Sequence, residues 1–282
     1  MKSRRDFLKA SAAFAGAAAL GLEARAAVIG KKKIPVGIQL YSFREQGSKD
    51  FDGILKKSKE IGFSGVEFAG YGPYGGKPAE LRKILDDLGL TAFGTHTGYG
   101  ELQADKLQKT MDFHKTIGCK YIIVPWIGEE QLGTKDACLK TAEYLSGVCG
   151  TVQKEGLYIG YHAHGGDFKK IDGNLTAWEV LFDNTPKTFI HQLDIGNAFD
   201  GNDPDRPYRL IERYPGRTLT VHLKEHGGPE GAVFGEGKVD FKRIIALCEN
   251  VGGTTCYIVE HESNPAKSYE SAQKCLDYLK TL

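Results

Sequence analysis

Short apolar runs return along the chain roughly every thirty residues. They fall at 35–40, 65–68, 91–96, 121–126, 157–162, 189–194, 219–223 and 257–260. Each is rich in β-branched or aromatic residues and too short for a helix, so each predicts a strand. Amphipathic stretches lie between them, and the spacing predicts helices over 51–61, 79–88, 102–117, 134–153, 177–182, 241–249 and 268–282. Gly62, Gly89, Gly118 and Gly156 stand where helices should stop before the next strand. Eight strands alternating with helices over about 250 residues predict an α/β fold, a single (β/α)8 TIM barrel. An open doubly wound sheet is the alternative, but no G-x-G-x-x-G follows the first strand.

In such barrels the site forms where the strands end. Here the strands run into Glu67, His96, His162 with His164, Asp194, His222 with Lys224, and Glu260. A strand covered on both faces should stay apolar, and charged groups there are costly unless paired or ligating a metal. One strand-end histidine is unremarkable. Six strands showing the same habit point to one shared site. Two imidazoles and two carboxylates suit one divalent metal, Mn²⁺, Co²⁺, Zn²⁺ or Fe²⁺, and no thiolate forces zinc. Phe43, Tyr71, Tyr74 and Trp126 after Pro125 are candidates for an apolar wall beside the site, with ordinary packing as the competing reading. His96 and His164 are candidates for substrate hydroxyls.

The chain has 282 residues, and its formal net charge of +1 provides no field for nucleic acid. Ser3-Arg4-Arg5-Asp6-Phe7-Leu8-Lys9 opens it, an Ala-rich run follows, and Ala24-Arg25-Ala26 closes a small-x-small pattern. This order is that of an export signal, and the Arg pair resembles the twin-arginine type. Residues 1–26 are therefore expected to be a signal peptide and 27–282 the barrel. The expected partner is the twin-arginine export machinery, the expected location the periplasm or beyond, and no stable membrane anchor is expected. Removing 1–26 takes away five basic and two acidic residues, which moves the formal charge from +1 to −2. Six cysteines remain without a C-x-x-C pair, which argues against a zinc ribbon, while disulfides and buried free thiols both stay open. Assembly as a homo-oligomer is also left open.

Several segments together carry a resemblance: Gly62-Phe63-Ser64-Gly65-Val66-Glu67, Tyr161-His162-Ala163-His164, Leu193-Asp194-Ile195-Gly196-Asn197, Val221-His222-Leu223-Lys224-Glu225 and Val259-Glu260-His261-Glu262. With these the chain resembles the xylose-isomerase-like TIM-barrel superfamily, which holds sugar isomerases and epimerases, inosose dehydratases and endonuclease-IV-type enzymes. In its sugar epimerases one metal is held by Glu, Asp, His and Glu on strands five to eight. The resemblance implies Asp194, His222 and Glu260 for the last three, with His162 replacing the first Glu. A neutral imidazole that binds metal cannot also be a carboxylate base. One-base chemistry by Glu260, with Lys224 or Glu67, is therefore expected. The favoured substrate is a 3-keto-glycoside or related keto-sugar cleaved in lyase or hydratase fashion through an enediolate. Isomerase or epimerase activity is the alternative within the family. A non-catalytic sugar-binding barrel is the alternative from another class, and it need not keep the metal set.

Overall fold

The computed structural model describes residues 27–282. The expected signal segment, 1–26, lies outside the described residues. Eight parallel strands form the core: β1 Ile34–Gln39, β2 Gly65–Phe68, β3 Thr91–His96, β4 Tyr121–Val124, β5 Tyr158–His162, β6 Ile190–Gln192, β7 Thr220–Leu223 and β8 Cys256–Val259. Hydrogen bonding runs β7-β8-β1-β2-β3-β4-β5-β6. The ring meets itself between β6 and β7, where a single parallel bridge joins Asp194 to His222. The His222 amide donates to the Leu193 carbonyl there at 2.9 Å. The barrel is therefore nearly closed, and two of the expected metal ligands sit on its closing seam.

Eight longer helices pack around the strands: α1 Phe51–Ile61, α2 Pro78–Leu88, α3 Leu107–Ile117, α4 Lys135–Gln153, α5 Ala177–Asp183, α6 Arg206–Arg213, α7 Phe241–Leu247 and α8 Ser268–Leu279. Capping explains their limits. Asp50 accepts from the Gly53 amide at the start of α1, and Thr134 accepts from the Ala137 amide at the start of α4. Gly62 ends α1 at φ 108°, a conformation that a Cβ would strain. The sequence pattern gives no helix between β6 and β7, yet α6 lies there. Pro207 and four charged residues in a short span mask a face on which Tyr208, Leu210 and Ile211 are buried. The predicted helix over 102–117 is shorter than expected, because Tyr99–Leu102 form a separate 3₁₀ turn. All six cysteines are buried and free, so the disulfide alternative is not realised.

One backbone irregularity shapes the interior. Register between β2 and β3 shifts at Val66/Glu67, so that Glu67 pairs with Gly94. A Cβ at Gly94 would stand 2.4 Å from Glu67 Oε1. The carboxylate cannot step aside, because Gln39 Nε2 donates to its Oε2 at 2.8 Å and Gln192 Nε2 to its Oε1 at 2.7 Å. Gly94→Ala is therefore expected to destabilise the fold by about 1–3 kcal/mol. Urea unfolding monitored by circular dichroism measures this, and an unchanged midpoint would remove the steric argument.

Candidate metal centre and active site

His162 ends β5, Asp194 follows β6, His222 lies in β7 and Glu260 follows β8. All four are buried, and one donor atom from each lies within 4.8 Å of the others. Alternation along each strand aims these residues inward, so four distant sequence positions converge.

The tautomers are set from beneath. Gln192 Nε2 donates to Glu67 and, at 2.8 Å, to Thr220 Oγ1, so its amide oxygen faces the histidines. That oxygen lies 3.0 Å from His162 Nδ1 and accepts its proton. His162 Nε2 is left as a lone pair, 3.9 Å from Asp194 Oδ2. His222 stands between two carboxylates, with Nε2 2.5 Å from Glu67 Oε2 and Nδ1 2.9 Å from Glu260 Oε2. His96 stacks on His222, with ring centroids 5.3 Å apart, and its Nε2 lies 3.1 Å from Gln192 Oε1 and 3.2 Å from Glu67 Oε2.

Electrostatics follow from this packing. Burial alone would raise the Glu67 carboxyl, but His222 and His96 hold it well below the usual range. Burial would lower the His222 imidazole, yet Glu67 and Glu260 push it up to about 10. Burial drives His162 down, helped by its histidine neighbours, so it stays neutral. Burial pushes Asp194 up, with Lys224 opposing. Lys224 Nζ lies 3.7 Å from Asp194 Oδ2 and 3.8 Å from Glu260 Oε2, and it pairs with Glu262. Although burial opposes it, these three carboxylates raise Lys224 and keep it an ammonium.

The donor set fits a divalent cation. Asp194 Oδ1 accepts from the Asn197 amide at 2.8 Å, but Oδ2 is buried without a hydrogen-bond partner. An orphaned carboxylate oxygen facing a free imidazole lone pair is what a metal would satisfy. Gln192 and Glu67 form the hydrogen-bonded layer that orients metal-binding histidines.

Above the cluster opens a cavity of about 620 Å³. His96, His162, His164, Lys224 and Glu260 line it as expected, joined by Tyr41, Pro125, Asn197 and Glu262. His164 presents a buried Nδ1 without a partner, and burial keeps its ring neutral. Five expectations need correction. Phe43 is fully buried and packs edge-on against Tyr269 at 4.8 Å, so it joins the core. Tyr71 turns away, its hydroxyl 3.1 Å from His114 Nε2 and its ring against Phe113. Trp126 is 65% exposed and lies outside the cavity wall, which Pro125 supplies. Glu67 is fully buried beneath the cavity, where it orients His222 and does not line the cavity. Tyr74, the remaining aromatic candidate, donates to Asp52 at 2.8 Å instead. Gln192, Gln39 and Tyr41 escape the sequence reading. Gln192 carries a signal in retrospect, being an amide at the end of a buried strand.

Comparison with known proteins places this geometry. Residues 55–280 match the family model described as xylose isomerase-like TIM barrel. An inosose dehydratase of Lacticaseibacillus casei is 25% identical over 288 residues, covering 87% of this chain and 94% of its own. An inosose dehydratase of Salmonella typhimurium is 27% identical, covering 86% of this chain and 94% of its own. Among solved structures, a sugar phosphate isomerase/epimerase from Parabacteroides distasonis superposes with a TM-score of 0.71 at 19% identity, covering 88% of this chain and 96% of that one. With a family model spanning most of its length and a barrel whose strand ends converge on one buried cluster, this chain belongs to the xylose isomerase-like TIM barrel family.

Proposed function

We propose that the chain is a divalent-metal-dependent enzyme that cleaves uncharged keto-sugars by β-elimination, as a lyase or dehydratase. The observation that carries this reading is the residue set around the cavity: one carboxylate of the metal cluster in the cavity wall, Glu260, beside a lysine held protonated. His162, Asp194, His222 and Glu260 would hold the cation, which when bound supplies Lewis-acid polarisation of a substrate carbonyl. Although burial opposes ionisation, His222 and Lys224 keep Glu260 ionised, ready to take the proton from the carbon beside that carbonyl. The C–H electron pair enters the enediolate and then expels the oxygen on the next carbon. Lys224, 3.8 Å from Glu260, gives that oxygen a proton, and the proton captured by Glu260 returns to Lys224. His164 Nδ1 and Asn197 face the cavity as partners for ring hydroxyls.

Epimerisation needs a second base on the opposite face of the sugar. His162 Nδ1 is committed to Gln192, and Lys224 is protonated. The other carboxylate in the wall, Glu262, follows Glu260 by two residues on the same strand end and pairs with Lys224. The relatives named inosose dehydratases support elimination from a cyclic ketone. Among the described residues, Lys224 is the sole Lys or Arg in the cavity wall and is shared among three carboxylates, which argues against a phosphorylated substrate. Export by the twin-arginine route belongs to the same proposal and rests on the Arg4-Arg5 segment.

Proton NMR in D₂O tests the reading, using Mn²⁺-loaded protein with 3-keto-glucosides and inososes. Release of the leaving group with an unsaturated or hydrated ketone is expected. Solvent deuterium beside an otherwise intact carbonyl skeleton, with no elimination, would make the enzyme an epimerase. Lys224→Met should keep hydrogen exchange beside the carbonyl while slowing elimination by about 10²–10⁴-fold. Equal loss of both would deny Lys224 the donor role.

A further inference from the structure

A second, smaller cavity of about 250 Å³ adjoins the catalytic one. The two share Tyr41, Ala69 and Gly70 as common wall. Gly70 makes the doorway: its φ is 109°, and a Cβ there would meet nothing within 4 Å. Behind it the lining turns apolar. Leu40 and Ile54 are buried, and the Phe51 ring lies beside Phe68, with centroids 6.4 Å apart. Gly47 and Gly72 hold the backbone close, since a Cβ would come 2.7 Å from Ile54 and 2.6 Å from Phe51 respectively.

Among the described residues, the polar side chains of this side cavity are Tyr41, Arg44 and Ser48 alone. Arg44 is its one charged residue, and it is already engaged. Its guanidinium donates to the Tyr41 and Glu262 carbonyls at 3.3 and 3.2 Å and sits 4.9 Å from the Tyr41 ring centroid. The Ser48 hydroxyl donates to the Glu45 carbonyl at 2.9 Å. A hydrated sugar unit placed here would lose water against a mostly apolar wall and find few side-chain partners beyond the Tyr41 hydroxyl at the partition. An apolar ring would lose nothing and would bury its faces against Leu40, Phe51 and Ile54.

We propose that this side cavity is a leaving-group subsite and that the substrate carries an aryl group there, attached to the keto-sugar ring held over the metal cluster. The inference rests on the β-elimination reading for the attachment point. It rests on the side cavity alone for the preference. Tyr41 forms the partition between the polar ring site and the apolar one. Arg44 fixes that partition by binding the Tyr41 carbonyl and by anchoring the segment after β8 through Glu262.

The experiment compares phenyl and methyl 3-keto-glucosides on Mn²⁺-loaded wild type and on Ser48→Trp, which fills the side cavity from its exposed rim. Burial of a phenyl ring predicts a kcat/KM ratio of about fifty in favour of phenyl beyond the difference in intrinsic reactivity measured with hydroxide. Ser48→Trp should bring that corrected ratio close to one, and Ser48→Leu should give a value between. Circular dichroism and metal content confirm that each variant is folded and loaded. A corrected ratio near one in wild type, or a ratio that Ser48→Trp leaves unchanged, overturns the subsite while elimination stands. If neither glycoside is turned over, the elimination reading falls and calorimetric binding decides the subsite. Tighter binding of the phenyl compound that is lost in Ser48→Trp supports it, and equal binding of the two compounds overturns it.

Discussion

Everything in this barrel turns on how it closes. Seven strand junctions are parallel ladders, one of them shifted at Val66/Glu67, but β6 and β7 meet through one bridge between Asp194 and His222. Both residues are fully buried, and both are polar. The seam therefore places an unsatisfied carboxylate oxygen and an imidazole where an apolar barrel would place branched aliphatics. Burying such groups is costly without a counter-charge. A protonated His222, donating from Nε2 to Glu67 and from Nδ1 to Glu260, supplies it without a metal, and a divalent cation held by His222 would displace one of these protons and take over that charge. Closure and chemistry thus draw on the same side chains.

Beneath the cluster a second polar layer fixes directions. Gln192 accepts from His162 while donating to Glu67 and Thr220, and Glu67 in turn braces His222. An amide that both donates and accepts can determine which histidine nitrogen carries the proton. The glycine at position 94 leaves the volume that the Glu67 carboxylate fills. A backbone irregularity, a missing Cβ and a buried acid thus act together to aim one imidazole. Above the cluster, three carboxylates share one lysine, which keeps the mouth of the site free of spare positive charge.

The strand–helix order was legible because period and punctuation agreed: apolar runs alternate with amphipathic stretches, and Gly62, Gly89 and Gly118 stop helices in the left-handed conformation. A shared polar site at six strand ends was legible because charge at the end of a buried strand is rare, and the family resemblance implied His162, Asp194, His222 and Glu260 within it. Aromatic side chains were not legible. Phe43, Tyr71 and Trp126 all follow strands, yet one is core, one bonds a buried histidine and one faces solvent. Loop backbone decides among those fates, and residue type does not encode it. Gln192 went unread because an amide resembles any surface polar residue until its strand is known to be buried. Helix α6 went unread because charge density hid a short apolar face.

The account depends on the seam cluster being a metal site, and Co²⁺ absorption titration of the metal-stripped protein asks this directly. The account predicts one Co²⁺ per chain with d–d bands of a mixed nitrogen–oxygen site, a raised melting temperature on loading, and loss of both effects in Asp194→Ala. Wild type that binds no Co²⁺, or an Asp194→Ala variant that binds it undiminished, would contradict the assignment.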